Sequence, residues 1–255
     1  MSKAIAVINQ KGGVGKSTTA LALGHGLQAK KYSVLFIDLD AQGNISYTLN
    51  GNTDGYNTLG ILQRPETAPQ EIQHTELGDI IPSTPALSGA DSILTSTGKE
   101  YKLKEALEFV SKSNNYDYIV IDTPPALGIL TINALTASDF AIIPAQADIY
   151  SLQGISQLNS TIQVVQKYTN PALKVLGIVL TRYNARSTLT KELTDLLENT
   201  AGQLDTKVFK TRIRENIAVK EAQAVKQNLY TYAPKSNASK DYTALVEEIE
   251  TDIIF

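Results

Sequence analysis

Lys11-Gly12-Gly13-Val14-Gly15-Lys16-Ser17-Thr18 stands directly behind an apolar run, Ala4-Ile5-Ala6-Val7-Ile8, and directly ahead of a helical one, Thr19 to Lys30. Strand, glycine-rich turn and helix in that order make a phosphate cradle. The glycines let the backbone bend round an anion with consecutive N–H groups pointing inward, and the helix adds its positive end. In the general pattern Lys16 reaches the β/γ-phosphates, the Ser17 hydroxyl ligates Mg²⁺, and Gly12, Gly13, Val14, Gly15 and Thr18 complete the wall. Lys11 is extra. That pattern does not demand a second lysine at the mouth of the loop, and its presence divides nucleotide-binding proteins into sub-classes.

Apolar strand-like runs alternate with helical patterns along the rest of the chain: 3–9, 34–38, 79–82, 118–122, 140–144, 175–181 and 207–213. Several are apolar on both faces, as parallel strands covered by helices on each side must be. The alternation predicts an α/β fold, a doubly wound and mostly parallel sheet in one domain over 1–255, with the phosphate loop at the carboxyl end of the first strand. Helices are predicted over Lys99 to Ser111, Ser151 to Lys167 and Ser187 to Glu198. The stretch Gly43 to Thr75 reads as turns and short helices, broken by Gly51, Gly55, Gly60 and Pro65. The chain has no cysteine, which excludes disulfides and thiolate metal sites. No apolar run approaches the ~20 residues that span a bilayer, and the first residues form a strand rather than a secretory signal. The sequence therefore reads as a soluble, cytoplasmic protein.

Three ordered motifs carry a resemblance. The loop itself, then Asp38-Leu39-Asp40-Ala41-Gln42-Gly43-Asn44, then Ile119-Val120-Ile121-Asp122-Thr123-Pro124-Pro125, resemble those of the ParA group of deviant Walker ATPases, P-loop proteins that partition plasmids and chromosomes. The likeness extends through 144–154, 177–186 and 233–242. Asp122 ends an otherwise apolar strand, so its carboxylate is placed to accept hydrogen bonds from water on Mg²⁺. By the resemblance, Asp40 orients the attacking water and is a further candidate on the metal side, and Asp38 serves the metal or the loop from behind. The resemblance also implies a homodimer with ATP between its subunits, in which Lys11 crosses to the partner's phosphates. The strand end with Arg182 and Asn184, and the segment Ile213 to Asn216, are implied to border adenine.

Net charge is −3, so a basic footprint over the whole molecule is absent, but charge is uneven. From Lys207 to Lys226 it is +4, and from Asp241 to Phe255 it is −5. The resemblance implies nonspecific DNA binding in the ATP state, with Arg186, Arg214 and Lys220 in or near the matching segments and Lys235 and Lys240 as outer candidates. It also implies nucleoid association and a ParB-like adaptor that stimulates hydrolysis. There is a departure: many members of the group read Ile-Pro-Arg-Asn where this chain has Ile213-Arg214-Glu215-Asn216. The eight residues before Asn9 are too few for an N-terminal helix-turn-helix domain, so operator-specific binding is not expected.

Two other classes compete. A MinD-like membrane switch needs a basic amphipathic C-terminal helix, whereas Tyr242 to Glu250 is amphipathic but acidic. A metal-cluster carrier fails for want of cysteine, while a metabolic ligase or kinase on the same fold stays open. The cargo is not encoded in any motif.

Overall fold

The computed structural model describes residues 2–186, 188–203 and 205–254. Its strands are β1 (Lys3–Val7), β2 (Val34–Asp38), β3 (Gln73–Thr75), β4 (Gly78–Ile81), β5 (Tyr118–Asp122), β6 (Phe140–Ala145), β7 (Lys174–Tyr183) and β8 (Val208–Arg214). They form one sheet in the order β3-β4-β2-β5-β1-β6-β7-β8. Every neighbouring pair is parallel except β3 with β4. The helices are α1 (Lys16–Ala29), α2 (Asn44–Thr48), α3 (Thr58–Gln63), α4 (Ala90–Ile93), α5 (Lys102–Ser113), α6 (Ile129–Ala137), α7 (Ile149–Tyr168), α8 (Thr188–Gln203), α9 (Ile217–Ala224), α10 (Leu229–Tyr232) and α11 (Asn237–Ile254). The predicted helix from Lys99 begins as a 3₁₀ turn over Lys99–Tyr101, and Ser187 lies outside the described residues.

Successive strand residues serve opposite faces, and here both faces are core. Ala4 and Ala6 of β1, Leu35 and Ile37 of β2, and Ile119 and Ile121 of β5 join α3, α5, α6, α7 and α8 in one apolar cluster. Ile5, Val7, Val34, Phe36, Tyr118 and Val120 join α1, α9, α10 and α11 in the other. That is why β2 and β5 read as unbroken apolar runs.

Helix α1 presses close to the sheet. Phe36 is fully buried, a burial worth about 1.5–3 kcal/mol, and its ring lies so near Gly24 that a Cβ there would stand 2.2 Å from it. Next to Gly24, His25 meets the same ring edge-on at 5.5 Å between centroids, and its Nε2 lies 3.1 Å from the Leu77 carbonyl oxygen. Burial pushes the imidazole down to about 4, against the smaller pull of that carbonyl.

The register sets up the site. Lys3 to Val7 pair with Tyr118 to Asp122, and Asp38 pairs with Asp122, so Val7, Asp38 and Asp122 end on one row at the carboxyl edge. β1 lies between β5 and β6, where the strand order reverses, and the loop after β1 opens into that crevice.

The uneven charge of the sequence has a structural use. Helix α11 lays its apolar face, Tyr242, Leu245, Val246 and Ile249, against the core and its acids against β8 and α1. Asp252 pairs with Lys207 at 2.7 Å, Glu250 with Lys30 at 2.6 Å, and Asp241 takes two bonds from the Arg214 guanidinium at 2.6 and 2.9 Å. Glu248 accepts from the Lys210 and Thr211 amides. Among the described residues, no helix is long and apolar enough to cross a membrane.

Candidate active site

The loop between β1 and α1 has the backbone that the motif requires. Gly13 and Gly15 take φ of 75° and 90°, left-handed values that side chains resist, whereas Gly12 does not. Gly15 precedes α1 with no side chain capping the helix, so the first-turn N–H groups remain available to an anion. Neighbouring strands hold the loop in place: Thr181 Oγ1 donates to the Val14 carbonyl at 2.8 Å, Gln146 Nε2 to that of Gly13 at 3.2 Å, and Asn9 Oδ1 accepts from the Lys11 amide at 2.9 Å. A cleft of about 580 Å³ opens over it, lined by Gly12, Gly13, Gly15, Lys16, Ser17 and Thr18 on the floor. Asp40, Gln42, Asn44, Tyr47 and Thr48 form one wall, and Arg182, Lys220, Gln223 and Ala224 stand opposite.

Three carboxylates around the floor differ in their partners. Asp38 is saturated: it accepts from the Ser46 amide (2.9 Å) and hydroxyl (2.7 Å) and from the Asp40 amide (3.1 Å). Burial still pushes it up to about 6. Its bonds organise the loop from behind. Asp40 accepts from the Gln42 amide at 3.0 Å through Oδ1 and lines the cleft.

Asp122 is wholly buried, and neither of its oxygens completes a hydrogen bond. Burial, then the charge of Asp38, raise it well above the carboxylate range; the nearby Ser17 hydroxyl and Lys16 ammonium offset only part. Lys16, 6% exposed, leans on the Lys11 carbonyl at 3.3 Å, and burial lowers its pKa against the pull of Asp122 and Asp40. An orphaned buried carboxylate beside a serine hydroxyl suits a hydrated divalent cation. Among the described residues no group of three or more His, Cys, Asp or Glu forms a protein cage, which fits a small cation that keeps its waters and takes phosphate oxygens.

Lys11 points away from the floor. Its ammonium pairs with Asp148 at 2.5 Å and stands 5.9 Å from the centre of the Tyr150 ring. Asp148 also caps α7, accepting from the Ser151 amide at 2.8 Å. Although partial burial pushes its carboxyl up, Lys11 and that amide hold it below the usual range. Beside them Ile149 and Tyr150 are 60% and 73% exposed.

A smaller pocket of about 180 Å³ continues from the cleft, lined by Thr181, Arg182, Ile213, Asn216, Val219 and Tyr242 among others. It contains the segment ends expected to border a base, except Asn184. That residue instead lines an outer depression with Arg182, Arg186, Arg212 and Arg214. The candidate DNA residues therefore separate. Arg186 and Arg214 share the depression, with Arg214 tied to Asp241. Lys220 lines the cleft and the smaller pocket; Lys235 and Lys240 line neither depression nor cleft. Of the six basic residues over 207–226, Lys207, Arg212 and Arg214 are ion-paired.

Fold and loop together define a P-loop nucleotide-binding protein whose cradle carries a second lysine. An AAA domain family model matches residues 2–175. Sporulation initiation inhibitor protein Soj of Bacillus subtilis is 40% identical over 98% of each chain, and chromosome partitioning protein ParA of Caulobacter vibrioides 37% over 97% of this chain and 93% of that one. Among solved structures, cobyrinic acid a,c-diamide synthase of Mycobacterium smegmatis with bound ATP analogue and magnesium superimposes at a TM-score of 0.81 with 31% identity, covering 97% of this chain and 93% of that one. The chain belongs to the ParA/Soj family of Walker ATPases.

Proposed function

We propose that the chain is an ATP-gated dimerising switch that holds nonspecific DNA in its ATP state and partitions or positions cargo through an adaptor. The observation that carries this reading is the pair of lysines at one cradle: Lys16 on the floor, and Lys11 on the rim, held by a surface aspartate rather than by the loop it belongs to. The α1 amides and Lys16 bind the β/γ-phosphates of ATP, Lys16 leaving the Lys11 carbonyl to do so. Ser17 would hold Mg²⁺, with Asp122 placed to accept from its water, and the ion would supply positive charge against the phosphates. Asp40 orients the attacking water, and Asp38 fixes the Asp40 loop through Ser46. Lys11 exchanges Asp148 for the partner's triphosphate, and hydrolysis removes that attraction.

Support for the DNA half comes from the arginine depression, which borders the base pocket through Arg182 and Arg214. Arg186 makes no ion pair among the described residues, and two copies in a dimer double the phosphate contacts. Cytoplasmic location with nucleoid association follows from this reading. A membrane role is disfavoured because α11 is docked on the core with its acids paired. Nonspecific duplex DNA, titrated with ATP, ADP or no nucleotide at several salt concentrations, tests the proposal. Tight binding only with ATP, weakening as salt rises, is the expected result. Binding to anionic liposomes in place of DNA would favour the membrane class, and failure of both would move the weight to a synthetic enzyme, the activity named for the structural neighbour from M. smegmatis.

A further inference from the structure

Beyond the motif residues, one contact joins the two walls of the cleft. Lys226 Nζ donates to Asn50 Oδ1 at 2.8 Å and stands 4.2 Å from the centre of the Tyr47 ring. Asn50 and Lys226 each sit just beyond a helix end, α2 closing at Leu49 and α9 at Val225, and both have left-handed backbones, with φ of 56° and 52°. Asparagine takes that conformation readily, lysine rarely. The lysine is therefore held in an uncommon geometry at the point where it bridges.

The bridge closes a ring of contacts round the nucleotide cleft. On one side Gln223 of α9 donates to Thr18 of α1 at 3.1 Å. On the other, Asp38 holds Ser46 of α2, the Ser46 hydroxyl accepts from the Ser83 amide at 2.8 Å, and the Ser83 hydroxyl donates to the Asp40 carbonyl. The segment from Asp40 to α2 is thus fixed at its inner end by Asp38 and Ser83. At its outer end Lys226 ties it to α9. Tyr47 itself lines the cleft.

We propose that Lys226, Tyr47 and Asn50 form a clip that holds the Asp40 loop in its working position, which makes Tyr47 and Lys226 positioning residues for hydrolysis. This rests on reading the site as an ATPase centre with Asp40 orienting water. A clip of this kind acts on turnover more than on nucleotide affinity, because the cradle that binds phosphate is anchored separately, through Thr181 and Gln146.

Steady-state ATP hydrolysis by the full chain with Mg²⁺ tests it. In Lys226→Met and Tyr47→Leu, kcat falls about five- to tenfold while KM stays within about twofold. Lys226→Arg and Tyr47→Phe, which keep the cation and the ring, restore most of the turnover. The Lys226→Met, Tyr47→Leu double variant is no slower than the worse single variant, since Lys226→Met already breaks the contact that Tyr47→Leu removes. Asn50→Gly removes the acceptor where glycine suits the backbone, so its loss of kcat cannot be ascribed to unfolding. Wild-type kcat in Lys226→Met and Asn50→Gly, or losses that multiply in the double variant, would overturn the clip and leave the ATPase reading intact. If the unaltered chain turns over no ATP, the ATPase reading falls and the clip with it.

Discussion

Replacing Asp148 by asparagine removes the charge that holds Lys11 while keeping the cap on α7, because asparagine caps helices as well as aspartate does. The pair it breaks is partly solvated, with side-chain exposures of 27% and 31%. Discounted for screening, such a pair is worth about 0.5–1 kcal/mol. If Lys11 must leave Asp148 before it can reach the partner's nucleotide, each protomer recovers that amount and a symmetric dimer recovers it twice. About 1–2 kcal/mol corresponds to a dimer about 5- to 30-fold tighter. The assay is sedimentation velocity over a concentration series with a non-hydrolysable ATP analogue and Mg²⁺, repeated with ADP. Asp148→Asn should shift the monomer–dimer midpoint down by that factor with the analogue and leave the ADP series monomeric. Asp148→Ala serves as control, since it loses the cap as well, at about 0.5–2 kcal/mol of stability. An unchanged or weaker dimer in Asp148→Asn would refute the idea that this pair restrains Lys11.

Other consequences are open to simpler assays. Burial raises the Asp122 carboxyl well above the ordinary range, so the fold loses stability as pH climbs above the carboxyl's unfolded value; Asp122→Asn removes that cost, and the nucleotide-free melting temperature should not fall and should gain most as pH rises, while the Mg²⁺-dependent part of the ATP-induced shift is lost. A lower melting temperature would contradict this. His25 is held near 4 in the fold against 6.5 in the unfolded chain. The unfolded state therefore binds the proton first, and stability falls as pH drops from 6.5 towards 4, by about 2 kcal/mol at pH 5. His25→Gln should flatten that part of the urea-denaturation profile, and a variant curve parallel to wild type would contradict the assignment. Gly24→Ala drives a methyl into the Phe36 ring and should cost about 1–3 kcal/mol in urea denaturation; a neutral result would show that the ring can move aside.

What the sequence discloses depends on whether the information is local. β2 and β5 have the predicted limits because both faces of each strand are core and each run ends on an aspartate. β3 escapes notice: Gln73-His74-Thr75 has no apolar pattern and exists because a turn at Gly78, with φ of 140°, folds it back on β4, where His74 meets Asp79. The stretch Gly43 to Thr75 holds α2, α3 and a proline-bearing 3₁₀ turn over Pro65–Glu71, all too short for periodicity to register. The phosphate loop is legible because its residues are contiguous. Asp148 stands 137 residues from Lys11, Gln223 205 from Thr18 and Tyr242 223 from Thr19, separations that only the folded sheet closes. The charge asymmetry is visible in the sequence, but its use is not: acids of the last helix pair with Lys207 and Arg214 of the basic stretch.

The central claim is that triphosphate joins two copies through the lysine on the rim of the cradle. Sedimentation of the unaltered chain and of Lys11→Ala, each saturated with non-hydrolysable ATP analogue and Mg²⁺, measures this directly. The account predicts a species of twice the chain mass for the unaltered protein and a monomer for Lys11→Ala that still binds the nucleotide. A monomer in both, or a dimer in both, would contradict it.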